Sequence, residues 1–171
     1  MSSRLGFLIL GLSGLAAGCA SDDDAQRDVD DVVVPSVSDP TPRRAELGIT
    51  AARERWDLRR PAAYTFGWQQ HCFCTQDDVR PLQVSVVAND VVRASYASDD
   101  MPVAAERVQY LSTIDDVFDR LDRAIEEKAF LIRVTFDADF GYPTSVAVDY
   151  DEWTADDELA LELGSLQTDS L

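Results

Sequence analysis

Residues 113–136, TIDDVFDRLDRAIEEKAFLIRVTF, change from the periodicity of a helix to that of a strand. In the first part, apolar residues such as Ile114 and Phe118 recur three or four positions apart, which places them on one face of an α-helix. In the second part, Ile132 and Val134 follow the alternation of a half-buried strand. An amphipathic helix followed directly by such a strand predicts a domain in which helices cover a β-sheet.

The residues before this stretch show the same order, a helix and then strands. Residues 45–58 predict a helix because their apolar members share one helical face: Ala45, Ile49, Ala52 and Trp56. Residues 64–68 alternate aromatic side chains with small or polar ones, which indicates a half-buried strand. Residues 82–88 and 91–96 predict two further strands, joined by a tight turn at Asn89-Asp90.

After the central stretch, residues 146–150 and 159–163 predict two more strands. The predicted fold is therefore α+β, with the order αβββαβββ: an antiparallel sheet of about six strands with two helices packed on one face. Ser112 and Asp115 are expected to form a capping box at the start of the second helix. This single domain is expected to span residues 45–168.

The composition is that of a globular protein with a strongly acidic surface. The chain has 171 residues, of which 46% are hydrophobic, a length and composition that suit one packed domain. Its 32 acidic and 15 basic residues give a net charge of -17. Such a charge repels phosphate backbones and anionic lipid headgroups, so it argues against nucleic-acid binding and against membrane binding through a basic patch.

Residues 1–18 predict an export signal. Arg4 precedes an apolar run that is too short to span a bilayer, for which about 20 residues are needed. The run ends in small residues directly before Cys19, LAAGC, which resembles the lipobox of bacterial lipoproteins, where the cysteine is diacylated and becomes the N-terminus. The alternative is an ordinary secretory signal. The lipobox implies a cell-envelope protein held by palmitate-type chains, and Ala20 favours the outer membrane, facing the periplasm, in a Gram-negative host.

Residues 19–44 are predicted to form the acylated cysteine and a disordered acidic tether. Their aspartates repel one another, their prolines stiffen the chain, and little apolar surface is available for burial. Val32-Val33-Val34 is the exception, and the alternative for it is an edge strand on the domain.

Cys72 and Cys74 are the only thiols left once Cys19 is acylated. Export favours an oxidised pair, and a bulge or turn would bring the two Cα atoms within disulfide range. A structural disulfide is the favoured interpretation. The alternatives are a redox-active pair and, with His71, a soft-metal site that lacks further cysteine or histidine ligands.

Asp137 and Asp139 are weak candidates for calcium ligands. The glycine after them comes one position early for an EF-hand loop, so a hairpin turn is favoured. The carboxylates within residues 149–158 are interpreted as a solvated loop.

One histidine and no Gly-x-Ser-x-Gly elbow give no support to a Ser-His-Asp site, and no phosphate-binding glycine loop is present. No catalytic constellation and no cofactor are predicted.

Several short motifs occur in a familiar order: Trp56, Tyr64-Thr65-Phe66, Cys72-Phe73-Cys74, Phe136-Asp137, Gly141-Tyr142-Pro143, Asp149 and Asp156-Asp157-Glu158. This order, over roughly residues 47–166, resembles a family of bacterial envelope lipoproteins that is known as a domain of unknown function. The resemblance implies a lipoprotein with one compact domain. It implies no activity, substrate or catalytic residue.

Together these observations predict a membrane-anchored envelope lipoprotein whose domain is non-enzymatic and binds another envelope protein or a small ligand. One alternative is a thiol–disulfide redox role through Cys72 and Cys74. The other is a calcium-stabilised structural domain.

Overall fold

The computed structural model describes residues 31–35, 42–151 and 158–168. Its elements, in chain order, are β1 (Asp31–Pro35), α1 (Pro42–Arg59), β2 (Ala63–His71), β3 (Leu82–Val87), β4 (Asp90–Tyr96), α2 (Ala105–Val108), α3 (Ile114–Glu126), β5 (Leu131–Phe136), β6 (Pro143–Asp149) and β7 (Leu159–Leu163). The strands form one antiparallel sheet in the order β1-β5-β6-β7-β2-β3-β4. The predicted α+β class and antiparallel sheet are confirmed.

The core lies between the sheet and the long helices. The predicted apolar face of α1 is confirmed where side chains are described, since Ile49, Ala52 and Trp56 are buried. The rings of Trp56 and Tyr64 on β2 pack edge to face with their centroids 5.4 Å apart, and Phe118 of α3 stacks on Phe136 of β5 at 6.2 Å. Such aromatic pairs add about 0.5–1.5 kcal/mol to the free energy that comes from burying the rings.

Helix α3 begins one residue later than the predicted capping box. Thr113 is the N-cap: its hydroxyl accepts a hydrogen bond from the Asp116 backbone N–H, and the Asp116 carboxylate accepts one from the Thr113 N–H. The predicted pair was Ser112 and Asp115. Asp115 instead accepts a hydrogen bond from Trp56 Nε1 at 3.3 Å, because this position in the first turn faces α1.

The N-terminal side of the domain contains more regular structure than predicted. Residues 31–35, which include the three valines, form β1, an edge strand paired with β5 from Asp31↔Thr135 to Pro35↔Leu131. Helix α1 begins at Pro42, within the range expected for the tether, and proline is favoured at the first position of a helix because its missing N–H has no partner there. The edge-strand alternative therefore describes residues 31–35 better than disorder does.

The β3–β4 hairpin turns at Ala88-Asn89, one residue before the predicted Asn89-Asp90. Both turn residues have positive φ, 50° and 68°, as a two-residue hairpin turn of the primed type requires.

Within the described residues, no helix is long and apolar enough to cross a membrane.

Candidate functional site

The most distinctive surface feature is the tip, residues 72–74, at the end of β2. Strand β2 pairs with β7 as far as His71↔Ala160, and the chain then leaves the sheet. Cys72 and Cys74 are joined by the predicted disulfide, with their Cα atoms 5.2 Å apart. The segment turns here, so the two residues lie closer than neighbours on one face of a flat strand would.

Phe73, between the two cysteines, projects into solvent. It is 100% exposed, the highest value among the large hydrophobic residues that the structure describes. Cys74 is exposed and Cys72 is half-buried. The tip therefore presents an unpacked aromatic ring beside an accessible disulfide.

The chain just beyond the tip is held by the Tyr96 cluster, which we define as Asp77, Arg80, Tyr96 and Arg107. The Tyr96 hydroxyl donates to the Asp77 carboxylate at 3.0 Å, and the Arg80 guanidinium lies over the Tyr96 ring at 3.6 Å. Arg107 Nη2 donates to the Asp77 carbonyl at 2.7 Å. These contacts join the loop to the end of β4 and to α2.

Electrostatics at the Tyr96 cluster favour the charged form of Asp77. The hydrogen bond from Tyr96, followed by that from Arg80, lowers the pKa of the Asp77 carboxyl below its ordinary value of 3.8. The Asp77 side chain remains open to solvent, so this network positions the loop rather than contributing to a buried core.

A short turn connects the tip to the cluster. Thr75 Oγ1 donates to the Asp78 carboxylate at 2.7 Å, and the Asp78 backbone N–H donates to the Thr75 carbonyl at 3.0 Å. Gln69 of β2 donates to the Val79 carbonyl at 3.3 Å. The tip is therefore held on one side by the sheet and on the other by a hydrogen-bonded turn and the Tyr96 cluster.

A shallow depression of about 290 Å³ lies on the sheet next to β2, and we call it the sheet depression. Polar or small residues contribute much of its lining: Gly67, Gln69, Gln83, Ser145, Glu162 and Gly164. A Cβ atom on Gly67 would lie 3.0 Å from the Gly164 Cα, so this close backbone approach favours glycine. His71 Nε2 lies 3.5 Å from Glu162 Oε1, which connects the depression to the tip.

The candidate calcium ligands lie in the turn between β5 and β6. Asp137 Oδ1 accepts hydrogen bonds from the backbone N–H groups of Asp139 and Phe140, at 3.0 and 2.7 Å. The Asp137 carboxylate thereby closes the turn, as the hairpin interpretation predicted. In the part of the chain that the structure describes, no group of three or more His, Cys, Asp or Glu residues is arranged to hold a metal ion.

Some predicted features lie outside the described residues: the export signal, Cys19, residues 20–30 and 36–41 of the tether, and residues 152–157 of the acidic C-terminal group. The Tyr96 cluster was not predicted from the sequence. Tyr96 is a half-buried residue at the end of a strand, and its partners are distant in sequence, so no periodic signal relates them. Nor does any pattern in the sequence distinguish Phe73 from the aromatic residues of the core.

No curated protein and no solved structure matches this sequence. A family model does match residues 48–168, close to the range expected from the motif order, and that family is described as one of unknown function. The expected resemblance to an uncharacterised domain is thereby confirmed, while the envelope location stays a prediction. The chain belongs to the family of unknown function DUF6174.

Proposed function

We propose that this protein is a membrane-anchored envelope lipoprotein whose domain is a non-enzymatic binding module that docks on another envelope protein. The anchor in this proposal is an acylated Cys19, since two acyl chains give stable attachment where one is marginal. The docking element is the tip. The observation that carries the binding part is the complete exposure of Phe73 on a loop that the rest of the domain holds in place.

Exposure of Phe73 leaves a large apolar side chain without any packing partner in its own domain. Burial of such a side chain is worth about 1.5–3 kcal/mol, and none of that free energy is gained when the ring stays in water. A pocket on a partner protein would gain it on binding. Exposed aromatic residues that become buried in a complex are typical interface hot spots.

The surroundings of the tip favour binding because they restrict its motion before a partner arrives. The disulfide closes the chain on either side of Phe73, and the Tyr96 cluster holds the residues that follow. A loop that is ordered in the free protein loses less conformational entropy on binding than a flexible one.

Charge around the tip indicates the character of the partner surface. Asp77, Asp78 and Glu162 lie near the tip, while Arg80 and Arg107 are already engaged by Asp77, Asp78 and Asp99. The whole chain carries a net charge of -17. A partner that combines an apolar pocket with a basic rim would associate fastest, and its association rate would fall as the salt concentration rises.

The anchor is tested by metabolic labelling with palmitate in a bacterial host. The wild-type chain is expected to incorporate the label and to fractionate with membranes. The Cys19→Ser variant is expected to incorporate none. Equal labelling of both chains would remove the lipoprotein part of the proposal.

Docking is tested with a photoreactive phenylalanine analogue at position 73 and, as a matched control, at Leu58, which is 86% exposed on α1. The analogue at 73 is expected to give one discrete adduct, suppressed by excess unlabelled wild-type chain and not by excess Phe73→Ala chain. The analogue at 58 should give no competed adduct. Equal competition by wild-type and Phe73→Ala chains would show that the tip is not the docking element.

A further inference from the structure

The Cys72–Cys74 disulfide contributes little to holding the domain together. It joins residues separated by only two positions, whereas a disulfide that closes a 15-residue loop stabilises a fold by about 3 kcal/mol through chain entropy. The chain before it is fixed by pairing between β2 and β7, and the chain after it by the Tyr96 cluster. Neither of these supports depends on the sulfur atoms.

The disulfide is also open to attack from solvent. Cys74 is exposed, Cys72 is half-buried, and Phe73 between them is completely exposed, so the domain does not cover the tip. Thiol–disulfide exchange proceeds by attack of a thiolate on one sulfur of the disulfide, and its rate depends on access to that sulfur. Exposed disulfides are typically the labile ones, and Cys74 is exposed here.

We propose that Cys72 and Cys74 form an exchange-active disulfide that accepts electrons from a protein dithiol. The partner's first thiolate attacks Sγ of Cys74, the more exposed of the two residues. A bond forms between the partner sulfur and Cys74, the Cys72–Cys74 bond breaks, and its electron pair leaves on Cys72 as a thiolate. The partner's second thiolate then attacks its own sulfur in the mixed disulfide and releases Cys74.

In sum, the partner dithiol loses two electrons and two protons and becomes a disulfide, while Cys72 and Cys74 become a dithiol. The reverse exchange with a second disulfide-bearing molecule restores the starting state. This activity goes beyond docking and does not require it: exchange needs the sulfur atoms, whereas docking needs the ring of Phe73.

The test uses the full chain with Cys19→Ser, purified in mild detergent, so that Cys72 and Cys74 are its only cysteines. The probe is a short unstructured peptide with two reduced cysteines. After mixing, free thiols are alkylated and counted by intact mass. We expect one peptide disulfide to form per chain, with joint alkylation of Cys72 and Cys74, at a rate in native buffer within about threefold of that in denaturant.

Two variants locate the attacked sulfur. With an oxidised glutathione probe, Cys72→Ser is expected to form a mixed disulfide at Cys74 several-fold faster than Cys74→Ser forms one at Cys72, because Cys74 is the more exposed residue. The variant without either cysteine controls for non-specific oxidation of the peptide. If the disulfide is reduced only after denaturant is added, it is a structural staple and the proposal fails. The crosslink at position 73 reports on docking separately.

Discussion

The Trp56 corner, which we define as Trp56, Arg60 and Asp115, and the Tyr96 cluster each combine an aromatic ring, a carboxylate and an arginine, one in the core and one at the surface. In the Trp56 corner, Trp56 Nε1 donates to Asp115, which also pairs with Arg60, and the ring is completely buried. In the Tyr96 cluster, the corresponding groups are Tyr96, Asp77 and Arg80, and the carboxylate is in solvent.

The comparison shows that burial, rather than the chemical groups present, determines whether such contacts stabilise the whole domain or only one loop. Tyr64 and Tyr142 pack against the buried Trp56 ring, so the corner joins α1 to the sheet and contributes to global stability. The Tyr96 cluster holds one loop, and its loss should release that loop while the core stays folded. The pKa shifts reflect the same difference between the two places. Burial raises the pKa of Tyr64, which packs on Trp56, whereas hydrogen bonds lower the pKa of the exposed Asp77.

The largest effect is expected at Trp56 itself. Trp56→Ala removes the ring that fills the corner and should lower the free energy of unfolding by about 3–5 kcal/mol. Leu58→Ala, two residues further along α1 and 86% exposed, should change it by less than about 0.5 kcal/mol. Chemical denaturation followed by circular dichroism measures both. A Trp56→Ala loss below about 1 kcal/mol would contradict the assignment of the corner to the core.

The next effect is expected at Gly141, where the β5–β6 turn passes against α1. Its φ is +84°, and a Cβ atom there would lie 2.5 Å from the Ala52 carbonyl oxygen. Gly141→Ala should therefore cost about 1–3 kcal/mol, from backbone strain and from displacement of α1. Asn89→Gly, at a φ of 68° in the exposed hairpin turn, is the control and should be close to neutral. Equal free energies of unfolding for Gly141→Ala and Asn89→Gly would show that a Cβ atom at position 141 neither strains the turn nor displaces α1.

An effect of about the same size should distinguish the carboxylate of the Trp56 corner from that of the Tyr96 cluster. Asp115→Asn weakens the hydrogen bond from Trp56 and the pair with Arg60, and should cost about 1–3 kcal/mol because this side chain is largely buried. Asp77→Asn should leave the melting temperature unchanged and increase hydrogen exchange only in the loop. Mass-resolved hydrogen exchange measures both variants. Global destabilisation by Asp77→Asn would remove the distinction between corner and cluster.

The smallest effect is the pH dependence of the loop. The pKa of Asp77 is lowered in the folded state, so its contribution to holding the loop is present above 3.8 and is lost as the pH falls through the folded-state value. Tyr96→Phe removes the main hydrogen bond and should raise the pKa of Asp77 toward 3.8. An NMR titration of the side-chain carboxyl carbons gives both values. An unchanged pKa in Tyr96→Phe would show that the hydroxyl does not stabilise the carboxylate.

The sequence was sufficient to predict the features that depend on periodicity. The apolar faces of α1 and α3 and the alternation in β2 and β5 follow from burial, which acts on every residue of an element. The sequence predicted the position of single residues less well. The capping box lies at Thr113 and Asp116, one position after the predicted pair. A serine and a threonine stand side by side there, and Asp115, the predicted partner of Ser112, contacts Trp56 instead.

The candidate site depended on information that periodicity does not contain. Cys72 and Cys74 were identified because their chemistry is distinctive, and the disulfide is present. The exposure of Phe73 was not foreseen, because an aromatic residue after a strand is usually buried. Arg80 and Arg107 converge on Tyr96 from two other parts of the chain, and such a contact is set by the tertiary fold.

Under the proposed anchoring at Cys19, the position of β1 has a mechanical consequence. Strand β1 precedes the rest of the domain in the chain and pairs with β5 at one edge of the sheet. A force on the N-terminal segment therefore acts on the hydrogen bonds between β1 and β5 before it reaches the other strand pairs of the sheet. Those edge hydrogen bonds would yield first and lengthen the attachment while the remaining sheet, the tip and the Tyr96 cluster keep their structure.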